Sequence, residues 1–535
     1  MVTDALPGLA LEVVPPPAEQ DVLRTDVAAV LGRTRRGPIG VPVRVESRLD
    51  FERWFGPVNG AASTPLAVRG FFENGGRTAW VLRVGRAGRT ASTVWTPGDP
   101  APAGLDHRDY QVLATSPGTW ANNTRVRLRY QASSVAGPPT ISVRVVPPGE
   151  PAETFPPTAP ERLVDQLAAS RFIRLVPLGD RMSPAGTGGP LVRQWDLELG
   201  RLAGAPAEDQ DRCRGTDVPP GPADYRLAAE TVAELQEPAL VCAPDLADDL
   251  AGAGPAQAVL DLLTAVEPTQ DRLVVLDMPA APAPDTEVAL RGTGPESSGP
   301  SVDAAIAWVQ EVRAVGDERL LRCAAVYHPR LRVRAGPAGA DDTVATVPAA
   351  GHVLGVIARL DGERGPHHTP ANAVVLEAVD LELGLPMAQE VRLFEAGVNL
   401  LRSSTGRGVQ VWGGRTLATT PGGRYVAHRR LVHLLVRAIR GVAGPLVFEV
   451  NGPQLRLTLV RGITSVLLAA FRSGALAGDR PEEAFRILCD EQNNPPGQAP
   501  EVVVCDVEVA PVVPMEFIRI RVVLGQDRGL EVLES

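Results

Sequence analysis

The sequence predicts a multidomain chain of mixed α/β and α+β class, and three observations predict it. Between residues 110 and 199 apolar and polar residues alternate, as in a half-buried antiparallel sheet. Between residues 239 and 327 short apolar runs alternate with helical segments, which implies a parallel sheet covered on both faces. The length, 535 residues, exceeds what one hydrophobic core holds.

Composition narrows the chemistry. Apolar residues make up 44 % and charged residues 22 %, ordinary for a globular chain. The sequence has no lysine, so all 53 basic residues are arginine. That excludes a phosphate-loop lysine, a Schiff base and a Ser-Lys dyad. Five cysteines, Cys213, Cys242, Cys323, Cys489 and Cys505, form no Cys-x-x-Cys pair and read as free thiols in a reducing compartment, without a zinc site. Residues 1–10 lack a basic start followed by an apolar run, and no stretch of about eighteen apolar residues occurs. The expectation is a protein made and kept in the cytoplasm, with no membrane partner.

From the amino end, residues 9–14 form a strand candidate isolated between Pro7-Gly8 and Pro15-Pro16-Pro17. Such an orphan strand must dock on its own body or add to a neighbour's sheet. Residues 27–31, 42–46 and 78–84 read as strands, 48–55 and 66–73 as helices. Phe51, Trp54, Phe55, Phe71, Phe72 and Trp80 are expected to form one compact core. In the alternating region Thr124, Val126, Leu128 and Tyr130 take one face and Arg125, Arg127 and Arg129 the other, with Ile141, Val143 and Val145 repeating the theme. A small β-sandwich with a solvated arginine row is the expectation.

The α/β region places strands at 239–243, 272–278 and 321–327 and helices at 224–236, 256–267 and 302–315. Asp245 and Asp277 fall at or just past the carboxyl ends of two strands, where α/β enzymes set active sites. An order of Asp277, His352 and then a serine is available, but Ser403, Ser404, Ser465 and Ser473 lie in no nucleophile motif. Gly-x-Gly-x-x-Gly, His-Glu-x-x-His and metal-ligand carboxylate spacings are missing, and His367-His368 reads as a loop pair. No catalytic, cofactor-binding or metal residue is expected.

Residues 391–480 hold thirteen arginines against three acids in a chain of net charge −10. A basic module on an acidic body points to an acidic partner. Within it Val409, Val411 and Trp412 lie in a strand bounded by glycine pairs. A helix over 425–442 follows, with Leu431, Leu434, Leu435, Ala438 and Val442 on one face and Arg430, Arg437 and Arg440 outside it. Residues 446–450 read as a strand and 455–471 as a helix carrying Arg456 and Arg461. Spacing alone makes these solvated faces; contact with nucleic-acid phosphates is the rival use. Strands at 502–509 and 516–524 and an acidic tail, 525–535, expected to be mobile, end the sequence.

Four blocks in register, Gly397-Val-Asn-Leu-Leu401, Gly406-Arg-Gly-Val-Gln-Val-Trp-Gly-Gly-Arg-Thr-Leu417, Tyr425-Val-Ala-His-Arg-Arg-Leu431 and Val447-Phe-Glu-Val-Asn451, resemble the C-terminal domain of contractile tail sheath proteins. Asp50-Phe-Glu-Arg-Trp-Phe-Gly56, Ser116-Pro-Gly-Thr-Trp-Ala-Asn-Asn123 and Ala510-Pro-Val-Val-Pro-Met-Glu-Phe517 extend the resemblance. It implies a subtilisin-like α/β domain without peptidase activity and a division into an arm (1–25), a small α+β domain (26–100), a β-sandwich (105–203), the α/β domain (204–370), a basic core domain (371–510) and a closing strand and tail (511–535). It further implies strand arms, carried by Leu9, Leu11 and Val13 and by Phe517, Ile518, Ile520 and Val522, that link subunits into a helical homopolymer of stacked, hexameric rings. The implied partners are an inner tube protein and baseplate and cap proteins, with no nucleic acid and no cofactor. A minor sheath paralogue at baseplate or cap is the alternative. Charge nominates Arg430, Arg437, Arg440, Arg456 and Arg461 to face the tube. The first arm departs from the family in lacking an aromatic residue.

Overall fold

β1 (Ala28–Gly32) is buried at every residue, as befits a strand inside a parallel sheet with helices on both faces. It pairs in parallel with β3 (Ala79–Arg83), while β2 (Val43–Val45) closes that edge antiparallel to β3. The computed structural model describes residues 23–534 apart from 59–61, 99–101, 103–104, 106–107, 133–137, 180–191, 203–205, 251–253, 280–301, 337–343, 496–501, 513–517 and 526–528. The expected arm residues Leu9, Leu11, Val13 and Phe517 therefore lie outside the described residues. α1 (Arg48–Phe55) starts where the Ser47 hydroxyl accepts from the Asp50 N–H at 3.1 Å, and α2 (Thr64–Glu73) follows. Phe51 and Phe55, four residues apart, stack at 5.2 Å and share a core with Phe71. The six aromatics do not form one cluster. Trp80 alternates with Val81 along β3 and so packs on the opposite face, and Trp54, off the Phe51–Phe55 stripe, is 48 % exposed.

The next strands are β4 (Ser92–Trp95), β5 (Asp109–Ala114), β6 (Arg125–Gln131), β7 (Thr140–Val146), β8 (Glu153–Thr158), β9 (Ile173–Leu178) and β10 (Val192–Glu198). They form two antiparallel sheets, in the orders β10-β6-β7-β8 and β4-β5-β9. β6 alternates exposed arginines with buried Val126, Leu128 and Tyr130, as the sequence pattern requires. One core lies between the two sheets, where Trp95 meets Tyr110 at 5.1 Å and Trp195 at 5.3 Å. Arg36 joins this unit to the first. Its guanidinium pairs with Glu150 at 3.1 Å, both side chains almost fully buried, and donates to the Glu52, Arg53 and Trp54 carbonyls at the end of α1.

The chain then returns to the large sheet. α3 (Pro222–Glu234), β11 (Leu240–Cys242), α4 (Pro255–Val266), β12 (Leu273–Leu276), α5 (Val302–Val315) and β13 (Ala324–His328) give the expected alternation. A three-stranded antiparallel sheet of β14 (Leu331–Arg334), β15 (Val344–Val347) and β16 (Ala378–Leu381) flanks α6 (Ala350–Arg364). After α7 (Met387–Glu395), β17 (Asn399–Ser404) joins β13 in parallel and β18 (Gly408–Trp412) closes the second edge. The eight-stranded order is β18-β17-β13-β12-β11-β1-β3-β2. One buried cluster includes residues of α3, α4, α5 and α7, the other residues of α1, α2 and α6. Strands from the expected segments 26–100, 204–370 and 371–510 thus share one sheet, whereas residues 91–199 fill a core of their own. Parallel neighbours need only a crossover between them, whatever its length.

α8 (Val426–Ala443) and α9 (Pro453–Arg472) share a fourth core with β19 (Phe485–Leu488) and β20 (Val503–Val509), which continue into an antiparallel sheet with β21 (Ile518–Gly525) and β22 (Gly529–Glu534). Two expectations change. Residues 446–450 are no strand: a 3-10 turn at Gly444–Leu446 leads into a loop where Phe448 has φ +80°, incompatible with an extended ladder. The acidic tail is no mobile end, because β22 pairs with β21 from Gly529 to Glu534.

α2 crosses α6 so closely that side chains are excluded. A Cβ on Gly355 would stand 2.4 Å from the Phe71 carbonyl oxygen, and one on Gly351 would stand 2.5 Å from the Ala67 Cβ. Gly355→Ala is expected to destabilise the chain by about 1–3 kcal/mol, the usual cost of overpacking. Urea unfolding checks this, and an unchanged midpoint would contradict the close crossing.

Candidate functional site

The basic module docks through an inward-facing arginine stripe. Arg430, Arg437 and Arg440 stand at intervals of seven and three residues on α8, within about 80° of one another at 100° per residue. Arg430 is 1 % exposed; it donates to the carbonyls of Ala239 at 3.1 Å and Thr25 at 2.5 Å and pairs with the equally buried Asp361. Arg437, 9 % exposed, reaches the carbonyls of Arg24, Glu237 and Pro238 and meets Asp271 at 3.1 Å. Arg440 pairs with the same Asp271 carboxylate at 3.1 Å and donates to the Thr269 carbonyl. Thr25, Ala239 and Asp271 immediately precede or lead into β1, β11 and β12, three adjacent strands. The stripe therefore fastens α8 across the amino ends of the sheet.

These contacts correct the expected placement. Arg430 and Arg437 are buried joints, and Arg440 is mostly covered, so none of the three faces a tube or nucleic-acid phosphates. The physical reason is the fork of guanidinium donors, which satisfies several carbonyls and a carboxylate at once. Burial lowers the Arg437 and Arg440 pKa values, while Asp271 opposes the shift. It also holds the Asp361 carboxyl above its ordinary range despite Arg430. His433 lies on the same stripe, fully buried beside Arg429, Arg430 and Arg437, and burial with that positive charge keeps it neutral. Nearby, Arg272 donates to the carbonyls of Val232, Ala233 and Leu235 at the end of α3.

Of the remaining nominees, Arg456 is half-buried on α9 and its charge acts on Cys489, while Arg461 is exposed and shares a surface depression with Arg472. Ile518, Ile520 and Val522 belong to β21, whose backbone pairs within the chain with β20. Two features escaped the sequence reading. The loop between α8 and α9 displays Phe448 and Val450, 80 % and 86 % exposed. A groove of 780 Å³ runs between the two helices, lined by Leu434, Ala438, Val442, Val466 and Ala469 with Leu23.

The carboxyl end of the large sheet assembles no catalytic constellation from the expected residues. Asp245 accepts from the N–H groups of Arg33 at 2.9 Å and Ser63 at 2.6 Å and from the Thr64 hydroxyl at 2.6 Å, fixing the start of α2. Asp277 accepts from the Ala350 N–H at 3.0 Å at the start of α6, and its second oxygen has no hydrogen-bond partner among the described residues. His352 is fully buried with both ring nitrogens unpartnered among the described residues, and burial pushes its pKa down to about 3.

Residues 295–417 match the family described as the phage tail sheath protein central domain. The sheath tail protein of Listeria innocua superposes with a TM-score of 0.61 at 13 % identity, over 94 % of this chain and 95 % of that one. The Desulfitobacterium hafniense sheath tail protein gives 0.58 at 14 % identity, over 97 % of this chain and all of its own. The chain has the tail-sheath fold. The anti-feeding prophage sheath subunit in the contracted state is also similar, with a TM-score of 0.51 at 20 % identity over 97 % of this chain and 98 % of that one. The resemblance read from the sequence blocks thus extends to nearly the whole tail-sheath fold. No curated protein matches the chain.

Burial raises the Asp277 pKa to about 7. Below about pH 4 the carboxyl is protonated in folded and unfolded chains alike; between about pH 4 and 7 the unfolded chain ionises first, so stability falls as pH rises. Asp277→Asn keeps an acceptor for the Ala350 N–H and should remove that fall. Urea midpoints are expected to exceed wild type near pH 8 and to converge near pH 4; the opposite order would contradict a buried neutral carboxyl.

Proposed function

We propose that this chain is a sheath subunit of a phage tail or phage-like contractile injection system, polymerising around an inner tube and contracting to drive that tube forward. The observation that carries the reading is whole-chain agreement of fold with sheath proteins, including a helical sheath in its contracted state. In this reading the two-sheet unit from β4 to β10 is the sandwich domain, the eight-stranded sheet is the subtilisin-like core, and residues 371–510 form the tube-side core domain. The chain assembles with itself in stacked rings, hexameric by family resemblance, and associates with baseplate and cap proteins in a particle formed in the cytoplasm. It performs no catalysis, and rearrangement of rigid subunits supplies the stroke.

Connectivity comes from the strand edges. In this reading the segment 9–14 is the donor strand, a free outer edge of the β19-β20-β21-β22 sheet is the acceptor, and engagement of different neighbours produces an open helical polymer. With Arg430, Arg437 and Arg440 committed inside the chain, the tube-side charge falls to Arg461, joined by Arg472.

Negative-stain electron microscopy of the chain co-expressed with its tube protein is expected to reveal striated hollow cylinders. Deleting residues 1–15 should leave a folded chain that forms none, and Arg461→Glu with Arg472→Glu should reduce the yield of cylinders on the tube. Monodisperse full-length particles with and without tube would contradict the reading.

A further inference from the structure

The register of the C-terminal sheet brings two thiols together. β19 and β20 pair antiparallel from Phe485 opposite Val509 to Leu488 opposite Asp506. The ladder ends there, and its register, continued by one residue beyond the end of β19, would bring Cys489 opposite Cys505. Directly opposed residues on antiparallel strands have Cα atoms about 4.5–5.5 Å apart, inside the span of about 4.4–6.8 Å that a disulfide bridges. Both cysteines are free, Cys489 packs against the buried cluster that contains Cys505, and the two thiols shift one another's ionisation in opposite directions. Cys213, on the short helix Ala207–Cys213, Cys242, in β11, and Cys323, just before β13, sit on separate elements.

We propose that Cys489 and Cys505 form a redox pair that closes to an intramolecular disulfide on exposure to a low-molecular-weight disulfide such as oxidised glutathione, tying β19 to β20. The two thiols differ in ways that set the order of events. Cys489 is half-buried and reachable, whereas Cys505 is fully buried. The neighbouring Cys505 thiol, followed by the charge of Arg456, holds the Cys489 thiol below its ordinary value against burial. The proximity of Cys489, together with burial, pushes the Cys505 thiol up. The Arg456 Nε is buried without a hydrogen-bond partner among the described residues.

The Cys489 thiolate attacks one sulfur of oxidised glutathione, forming a mixed disulfide and expelling one glutathione thiolate. Forming the mixed disulfide takes the negative charge off Cys489, so that charge no longer opposes ionisation of Cys505. Cys505 then gives up its proton and attacks the Cys489 sulfur, expelling the second glutathione. Two protein thiols are oxidised, one glutathione disulfide is reduced, and the two protons end on two glutathione thiols. The pair lies in the sheet that carries β21, so closure stiffens the ladder that holds the C-terminal strand. This chemistry needs only the isolated chain and stands apart from the sheath reading.

The test is titration of the reduced full chain against graded ratios of oxidised to reduced glutathione, read by intact mass, thiol counting and peptide mapping. Free thiols are expected to fall from five to three, with a single peptide pair linking Cys489 to Cys505, reversal by dithiothreitol and a raised melting temperature in the oxidised form. Cys489→Ser and Cys505→Ala should each abolish the link; Cys489→Ser, at a half-buried site, serves if Cys505→Ala does not fold. Five persistent thiols under oxidising ratios, a glutathione adduct on Cys489 that never resolves, or a link that uses Cys213 would each overturn the proposal.

Discussion

The interaction on which the rest of this structure depends is the seating of one helix by three guanidinium groups. Backbone carbonyls at the amino ends of parallel strands are acceptors that a single sheet leaves open, and buried acceptors without partners are costly. Arg430, Arg437 and Arg440 supply donors to those ends at β1, β11 and β12, and Asp271 and Asp361 balance the charge. Removing one partner from such a set leaves a buried charge alone, which makes the joint effectively all-or-none. Arg36 does the same between the large sheet and the two-sheet unit. A lysine, with one compact ammonium, could not span several acceptors at once. The absence of lysine thus coincides with a structural device: arginine serves here as the joint between units.

That device explains what the sequence made legible and what it hid. The alternation of β6 and the β-α-β rhythm from residue 239 both follow from short-range periodicity, which the sheet preserves. The aspartates at strand ends were placed correctly along the chain but carry caps for α2 and α6 instead of chemistry. The arginines of α8 were visible as a stripe outside the apolar face. Their inward direction was not, because it depends on carbonyls between 171 and 413 residues distant in sequence. A helix with one apolar face and one charged face ordinarily turns the charge to water; here two faces are buried, one on a hydrophobic core and one on a polar sheet edge. The exposed Phe448 likewise depends on a positive φ that no periodicity announces.

In the sheath reading, this joint separates what must be rigid from what must move. A contracting helical array changes the relations between subunits while each subunit keeps its shape, so the connections inside the chain have to outlast those between chains. α8 fastens the basic module to the sheet through polar contacts deep in the chain, while Arg461, Arg472, Phe448 and Val450 remain at the surface.

The measurement closest to the central claim is native-state hydrogen exchange on the monomer. If the arginine stripe makes α8 and the large sheet one unit, the amides between Arg430 and Arg440 exchange with the same opening free energy as those of β11 and β12, and Arg437→Met lets α8 open first. Wild-type α8 opening at a distinctly lower free energy than those strands would contradict the account.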